Sequence, residues 1–266
     1  MRLACENLAC GYGGHAVASG VTLALSAGET VCLLGPNGGG KTTLFKTLLG
    51  LLAPVAGHVR IDGTDIAQLP RSAVARRLGY VPQAQPGYFP YSVEEMVLLG
   101  RTAHLGLFAR PSAADRAAAL AALARLGIGH LAPRIYTEIS GGERQLTLVA
   151  RALAAEPQII VMDEPTASLD FGNRARVLAQ IAMLRAQGVG IVMSTHDPDQ
   201  ALAHADKVAL LHEGTLAAYG VPQSVVTAQA LSALYGIGVE IVAGTCRDGT
   251  RVSVCVAHQN RALTSK

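Results

Sequence analysis

Eight residues, Gly35-Pro36-Asn37-Gly38-Gly39-Gly40-Lys41-Thr42, restrict this chain more than any other part of it. An apolar run (Val31, Cys32, Leu33, Leu34) leads into them and a helix-period pattern (Leu44, Phe45, Leu48, Leu49) leads away. The segment therefore reads as strand, loop and helix. Consecutive glycines let the backbone curl until successive N–H groups face one concavity, and the helix start adds its positive end. A polyphosphate finds donors there without side chains. Lys41 then reaches the outer phosphates, and the Thr42 hydroxyl, with Thr43 behind it, is placed for Mg²⁺.

Length and composition narrow the class. With 266 residues the chain can form one large α/β domain, or a core domain with a smaller appendage. Hydrophobic residues make up 50%, and mean hydropathy is +0.32. Even so, no stretch of about 18 apolar residues lacks a charge or a turn signal, as a spanning helix requires. Met1 and Arg2 are followed within a few residues by Glu6 and Asn7, with no apolar core of a signal peptide, so a cytosolic chain is expected. Five cysteines (Cys5, Cys10, Cys32, Cys246, Cys255) form no C-x-x-C pair and are expected to be reduced and mostly buried. A net charge of +3 without a basic run gives no case for nucleic acid.

Along the chain, short apolar segments between residues 3 and 34 and the run 57–62 predict strands of a mixed sheet around the phosphate loop. A short helix is expected over Ser72 to Leu78, then a strand ending at Pro82-Gln83. From 92 to 138 the pattern is helical, with a capping box at Ser112 and Asp115 and a stop at Gly127. A capped helix from Ser140 to Leu153, a strand at Ile159 to Met162, a helix at Arg174 to Gln187, a strand at Gly190 to Ser194 and a helix near Pro198 follow. This alternation predicts a parallel sheet with right-handed crossovers. Past Pro222 one helix (Ser224 to Leu234) and a hairpin around Asp248-Gly249 form a small tail.

Two further motifs carry chemistry. The run Ile159-Ile160-Val161-Met162 ends in Asp163-Glu164. A carboxylate at the end of a buried parallel strand can hold Mg²⁺, and its neighbour can orient or deprotonate an attacking water. Ser140-Gly141-Gly142-Glu143 is a helix N-cap box, yet two glycines weaken a first turn by about 1 kcal/mol each relative to alanine. Close backbone approach by a phosphate explains them.

In this combination and order, the motifs resemble those of the ATP-binding cassette (ABC) ATPases over residues 1 to about 220. The family's signature element is seen here as Ile139-Ser140-Gly141-Gly142-Glu143, departing from the family pattern with Ile139 for the usual leucine and Glu143 for the usual glutamine. The resemblance implies an α/β phosphate-loop fold, a RecA-like core with a mixed β subdomain and a helical insert, plus the appendage. It divides the chain into an ATPase domain at 1–221, with a helical subdomain about 84–140, and a tail at 222–266. It implies that Tyr12 stacks on adenine, that Gln83 senses Mg²⁺ and the γ-phosphate near a membrane partner, and that His196 is the switch histidine. Asp170, in Ser168-Leu169-Asp170, lies in the loop that crosses to a second subunit. ATP would be clamped between the phosphate loop of one copy and Ser140, Gly141 and Gly142 of another, with Thr42, Gln83 and Asp163 around Mg²⁺.

One phosphate loop without a spanning segment then implies a lone ATPase subunit. It would act as a homodimer on the cytoplasmic face of the membrane through separate permease subunits, and indirectly with a substrate-binding protein. Leu99-Gly100-Arg101-Thr102, Ser140 to Ala152 and Ser168 to Asn173 resemble importer ATPases for iron–siderophore, haem, cobalamin and molybdate-type substrates. A zinc or manganese importer has the same motifs. A DNA-repair or chromosome ATPase of the family would carry a long coiled coil between Lys41 and Ser140, and the heptads are missing.

Overall fold

The computed structural model describes residues 1–83, 89–106 and 108–258. The start of the expected helical subdomain (84–88), residue 107 within it, and the end of the tail (259–266) lie outside the described residues.

The N-terminal hairpin β1 (Arg2–Tyr12) and β2 (His15–Ser26) turns into β3 (Thr30–Leu34), which feeds the phosphate loop and α1 (Lys41–Leu48). Then come β4 (Ala56–Ile61), β5 (Thr64–Asp65), α2 (Arg71–Arg77) and β6 (Leu78–Val81). The insert holds α3 (Val93–Leu98) and α4 (Ala113–Arg125), and the core resumes with α5 (Gly141–Ala154), β7 (Ile159–Met162), α6 (Phe171–Ala186), β8 (Gly190–Thr195) and α7 (Pro198–His204). After β9 (Lys207–His212) and β10 (Thr215–Gly220) come α8 (Pro222–Val225), α9 (Ala228–Tyr235), β11 (Gly238–Thr245) and β12 (Arg251–His258).

Among the described residues, ten strands form one mixed sheet in the order β5-β4-β1-β2-β10-β9-β3-β8-β7-β6, and β11-β12 stand apart as a hairpin. The antiparallel part (β1, β2, β4, β5) joins the rest of the sheet's ladder, among the described residues, through the pairing of Thr215 with Ser19. On the other side β6, β7, β8, β3 and β9 run parallel. Alternation along β3 builds both cores: Val31 and Leu33 pack with Leu44, Phe45 and Leu48 of α1, while Cys32 and Leu34 face the cluster of α5, α6 and the insert.

Local signals place most helix ends. Ser92, Ser112 and Ser140 each close a capping box, and Asp170 caps α6, which therefore starts at Phe171 rather than Arg174. The tail differs from expectation. Its single helix is two, because the Thr227 hydroxyl accepts the Ala230 N–H and starts a new helix after Val226. In the insert, expected to be helical throughout, Ser92 and Ile135 form an isolated antiparallel bridge. Cys5, Cys10 and Cys32 are buried as free thiols, whereas Cys246 is exposed.

Candidate active site

Parallel register assembles the site. Leu34 pairs with Thr195 and Met162 with Met193. The chain thus leaves β3, β7 and β8 along one edge, at Gly35, Asp163 and His196. Loops at the carboxyl ends of parallel strands converge there with unpaired backbone.

The phosphate loop depends on backbone that side chains resist. Gly38 (φ 78°) and Gly40 (φ 88°) lie in the left-handed region, and a Cβ on Gly40 would press to 3.1 Å of Val17. Lys41 is buried, and its ammonium donates to the carbonyls of Gly35 and Pro36, each at 2.9 Å. It also forms an ion pair with Glu164 Oε1 at 3.4 Å. Glu164 itself has a left-handed backbone (φ 46°), which costs a non-glycine residue about 1–2 kcal/mol. The other oxygen of Glu164 lies 3.5 Å from Nδ1 of His196.

Asp163 is buried with both oxygens engaged. Thr42 Oγ1 donates to Oδ2 at 2.6 Å, and Ser194 Oγ donates to Oδ1 at 2.7 Å. Ser194 Oγ also accepts the Glu164 N–H at 2.9 Å. Ser194 was missed from sequence because a serine near the end of an apolar strand looks ordinary. Its signal is the strand register, which sets it next to Asp163.

Gln83, Asn37, Lys41, Thr42, Thr43, Asp163 and Glu164 share one cleft of about 330 Å³. A second of about 320 Å³ holds Glu164, Ser168 and His196. Tyr12 is half exposed and lines neither. Ser140, Gly141 and Gly142 also line neither, so one chain alone does not bring them to Lys41.

Around Ser140 the box is complete. Glu143 Oε2 accepts from the Ser140 N–H at 2.8 Å and from its hydroxyl at 2.7 Å, and that hydroxyl is the main cause holding the Glu143 carboxyl below its usual range. The two glycines separate in meaning. A Cβ on Gly142 would lie 2.5 Å from Asn173 Oδ1, and Asn173 is pinned because its N–H and amide donate to Asp170 at 2.9 and 2.6 Å. Gly142 thus has a packing reason inside the chain in addition to the expected phosphate approach. A Cβ on Gly141 would meet only Leu169, at 3.7 Å, and that backbone stays accessible.

A glycine cradle at the end of a parallel strand, a buried lysine inside it and an Asp-Glu pair closing the next strand but one define a phosphate-loop nucleoside triphosphatase. Residues 18–167 match the ABC transporter family. Over 242 residues the chain is 37% identical to the ferric enterobactin transport ATP-binding protein FepC of Escherichia coli (strain K12), covering 91% of this chain and 89% of that protein. It is 39% identical over 239 residues to the hemin import ATP-binding protein HmuV of Pseudomonas entomophila (strain L48), covering 88% and 92%. A solved structure described as an inward-facing metal-chelate type ABC transporter superposes with a TM-score of 0.86 at 33% identity, over 97% of this chain and 98% of that one. The chain belongs to the ABC transporter family, and it is an ATP-binding, ATP-hydrolysing cassette of that family. Among the described residues, no helix is long and apolar enough to cross a membrane.

Proposed function

We propose that the chain is the ATPase subunit of an importer for an iron–siderophore, haem, cobalamin or molybdate-type substrate. The observation that carries the chemistry is the placement of one carboxylate, Glu164, between Lys41 and His196. The iron-chelate and haem relatives support this class over a zinc or manganese importer.

In the mechanism, the loop N–H groups and Lys41 bind the triphosphate of ATP, and Tyr12 stacks on the adenine. Thr42, Asp163 and Gln83 are hard oxygen donors on one cleft, a set that fits Mg²⁺. When bound, Mg²⁺ neutralises charge on the β- and γ-phosphates. Glu164 accepts the proton of the attacking water, and His196 holds water and γ-phosphate in line. The ammonium of Lys41, shared with Glu164 here, passes to the phosphates and leaves the carboxylate free to act as base.

Completion of the site comes from a second copy, whose Ser140, Gly141 and Gly142 reach the γ-phosphate and whose Asp170 loop crosses the seam. The exposed Gly141, which does not line the cleft that holds Lys41, supports this. An apolar groove of about 490 Å³ between the core and the insert, lined by Leu49, Leu51, Leu69, Tyr80 and Leu99, fits a short amphipathic element of the permease. We divide the chain into an ATPase domain (1–221, helical subdomain about 84–140) and an appendage (222–266), and place it on the cytoplasmic face of the membrane through that permease.

Sedimentation of the Glu164→Gln chain tests the reading. With ATP and Mg²⁺ it should sediment as a dimer, and without nucleotide it should not. A strictly monomeric species in both conditions would overturn the proposal.

A further inference from the structure

The tail touches the loop that carries His196. At the end of α9 the Tyr235 hydroxyl donates a 2.9 Å hydrogen bond to the main-chain carbonyl of His196, 39 positions away. Three residues beyond His196, Asp199 Oδ1 accepts the N–H of Cys255 in β12 at 2.8 Å. Ser232 Oγ accepts the N–H of Val239 at 3.0 Å, which joins α9 to the hairpin. The tail thus grips both the switch loop and the first turn of α7.

That grip falls at the backbone of a half-exposed side chain. The His196 side chain is 53% exposed and has Glu164 Oε2 at 3.5 Å. A half-exposed imidazole takes much of its direction from the backbone that bears it. Inside the loop, the Asp197 N–H bonds to Thr195 Oγ1 and the Gln200 amide to Asp197 Oδ2, each at 3.0 Å, so the chain is fixed just after His196. Tyr235 fixes it at His196. Burial, with Asp197 nearby, pushes the Tyr235 phenol up to about 12, so the hydroxyl stays a donor at all ordinary pH.

We propose that Tyr235 is a positioning residue for ATP hydrolysis: by holding the main-chain carbonyl of His196 it sets the imidazole against Glu164 and makes the tail part of the catalytic support. The inference rests on His196 acting at the γ-phosphate, as proposed above.

The test is Tyr235→Phe in the full chain, which keeps the ring and removes only the hydroxyl. Loss of one such bond should lower kcat about three- to tenfold with KM for ATP within about twofold. In nucleotide-free protein, NMR should show the His196 imidazole signals shifted while those of the other histidines hold. Unchanged kcat together with unchanged imidazole signals would overturn the proposal. So would a loss of kcat matched by a rise in KM and a fall in Tm, which marks a merely structural tail. His196→Ala separates the two levels: wild-type hydrolysis by that variant would remove the mechanism itself, whereas an inactive His196→Ala beside an unaltered Tyr235→Phe would remove Tyr235 alone.

Discussion

Thr42 and Asp163 are joined by a 2.6 Å hydrogen bond from hydroxyl to carboxylate that spans 121 positions of chain. It ties the first turn of α1 to the end of β7, and it puts two oxygen donors together on the cleft wall. The second carboxylate oxygen is held by Ser194. The pair is therefore oriented before any ligand arrives, which lowers the cost of ordering it on binding.

Chelation of Mg²⁺ should stop ATP hydrolysis, and restoring the ion should recover it. Ser194→Ala frees one Asp163 oxygen and the Glu164 N–H, so the Mg²⁺ concentration for half-maximal activity should rise about tenfold or more, as for other partners that orient metal ligands. A Mg²⁺ titration of steady-state hydrolysis measures both.

Glu164→Gln keeps size and most polarity but removes the carboxylate proposed as the base. Turnover should fall about a hundredfold or more, the range of general-base catalysis, while a fluorescent ATP analogue still binds. Undiminished turnover would take Glu164 out of the mechanism.

Lys41→Ala acts on binding instead. Removing a buried ammonium that would pair with phosphate should cost about 2 kcal/mol, or about thirtyfold in Kd for the fluorescent analogue. Among the described residues, the same change leaves the Glu164 carboxylate with His196 as its charged neighbour.

Gly141→Ala and Gly142→Ala should part company. Alanine at 142 meets Asn173 at 2.5 Å and should destabilise the fold by about 1–3 kcal/mol, an overpacking cost read as a lower Tm. Alanine at 141 has room within the chain and should hold Tm, yet it should reduce hydrolysis because its methyl would stand where the proposed dimer brings the partner's phosphate.

Asp115 gives a pH-dependent prediction. The Ser112 hydroxyl and N–H, and then Arg101, lower its carboxyl from 3.8 to about 2. Because the folded value lies below the unfolded one, its stabilisation is present above about pH 4 and is lost as pH falls through about 2. Asp115→Asn should be less stable than the wild type at neutral pH, and the gap should close between about pH 4 and 2 in thermal melts.

Much of the fold is legible from neighbours in the chain. The phosphate loop is a contiguous string, and the capping boxes at Ser112 and Ser140 act over three residues, so their geometry is contained in their spelling. Strand runs such as Ile159 to Met162 announce themselves because a parallel strand is buried on both faces. The tail helix shows the limit: Val225, Val226 and Leu231 keep an apolar pattern going, and the break appears only once Thr227 spends its hydroxyl on Ala230. A side chain's hydrogen-bond choice among several options has no periodic trace.

The chemistry-bearing residue types were plain in one dimension, but their partnerships were not. Asp163 meets Ser194 because Met162 pairs with Met193, Gly142 is small because α6 carries Asn173 against it, and Tyr235 reaches His196 because the hairpin folds back onto α7. Motifs and caps follow from interactions a few residues long, which any reader of the string can enumerate. Contacts across strands and between distant helices are chosen by the packing of the whole sheet, where a shift of one register position would exchange every partner.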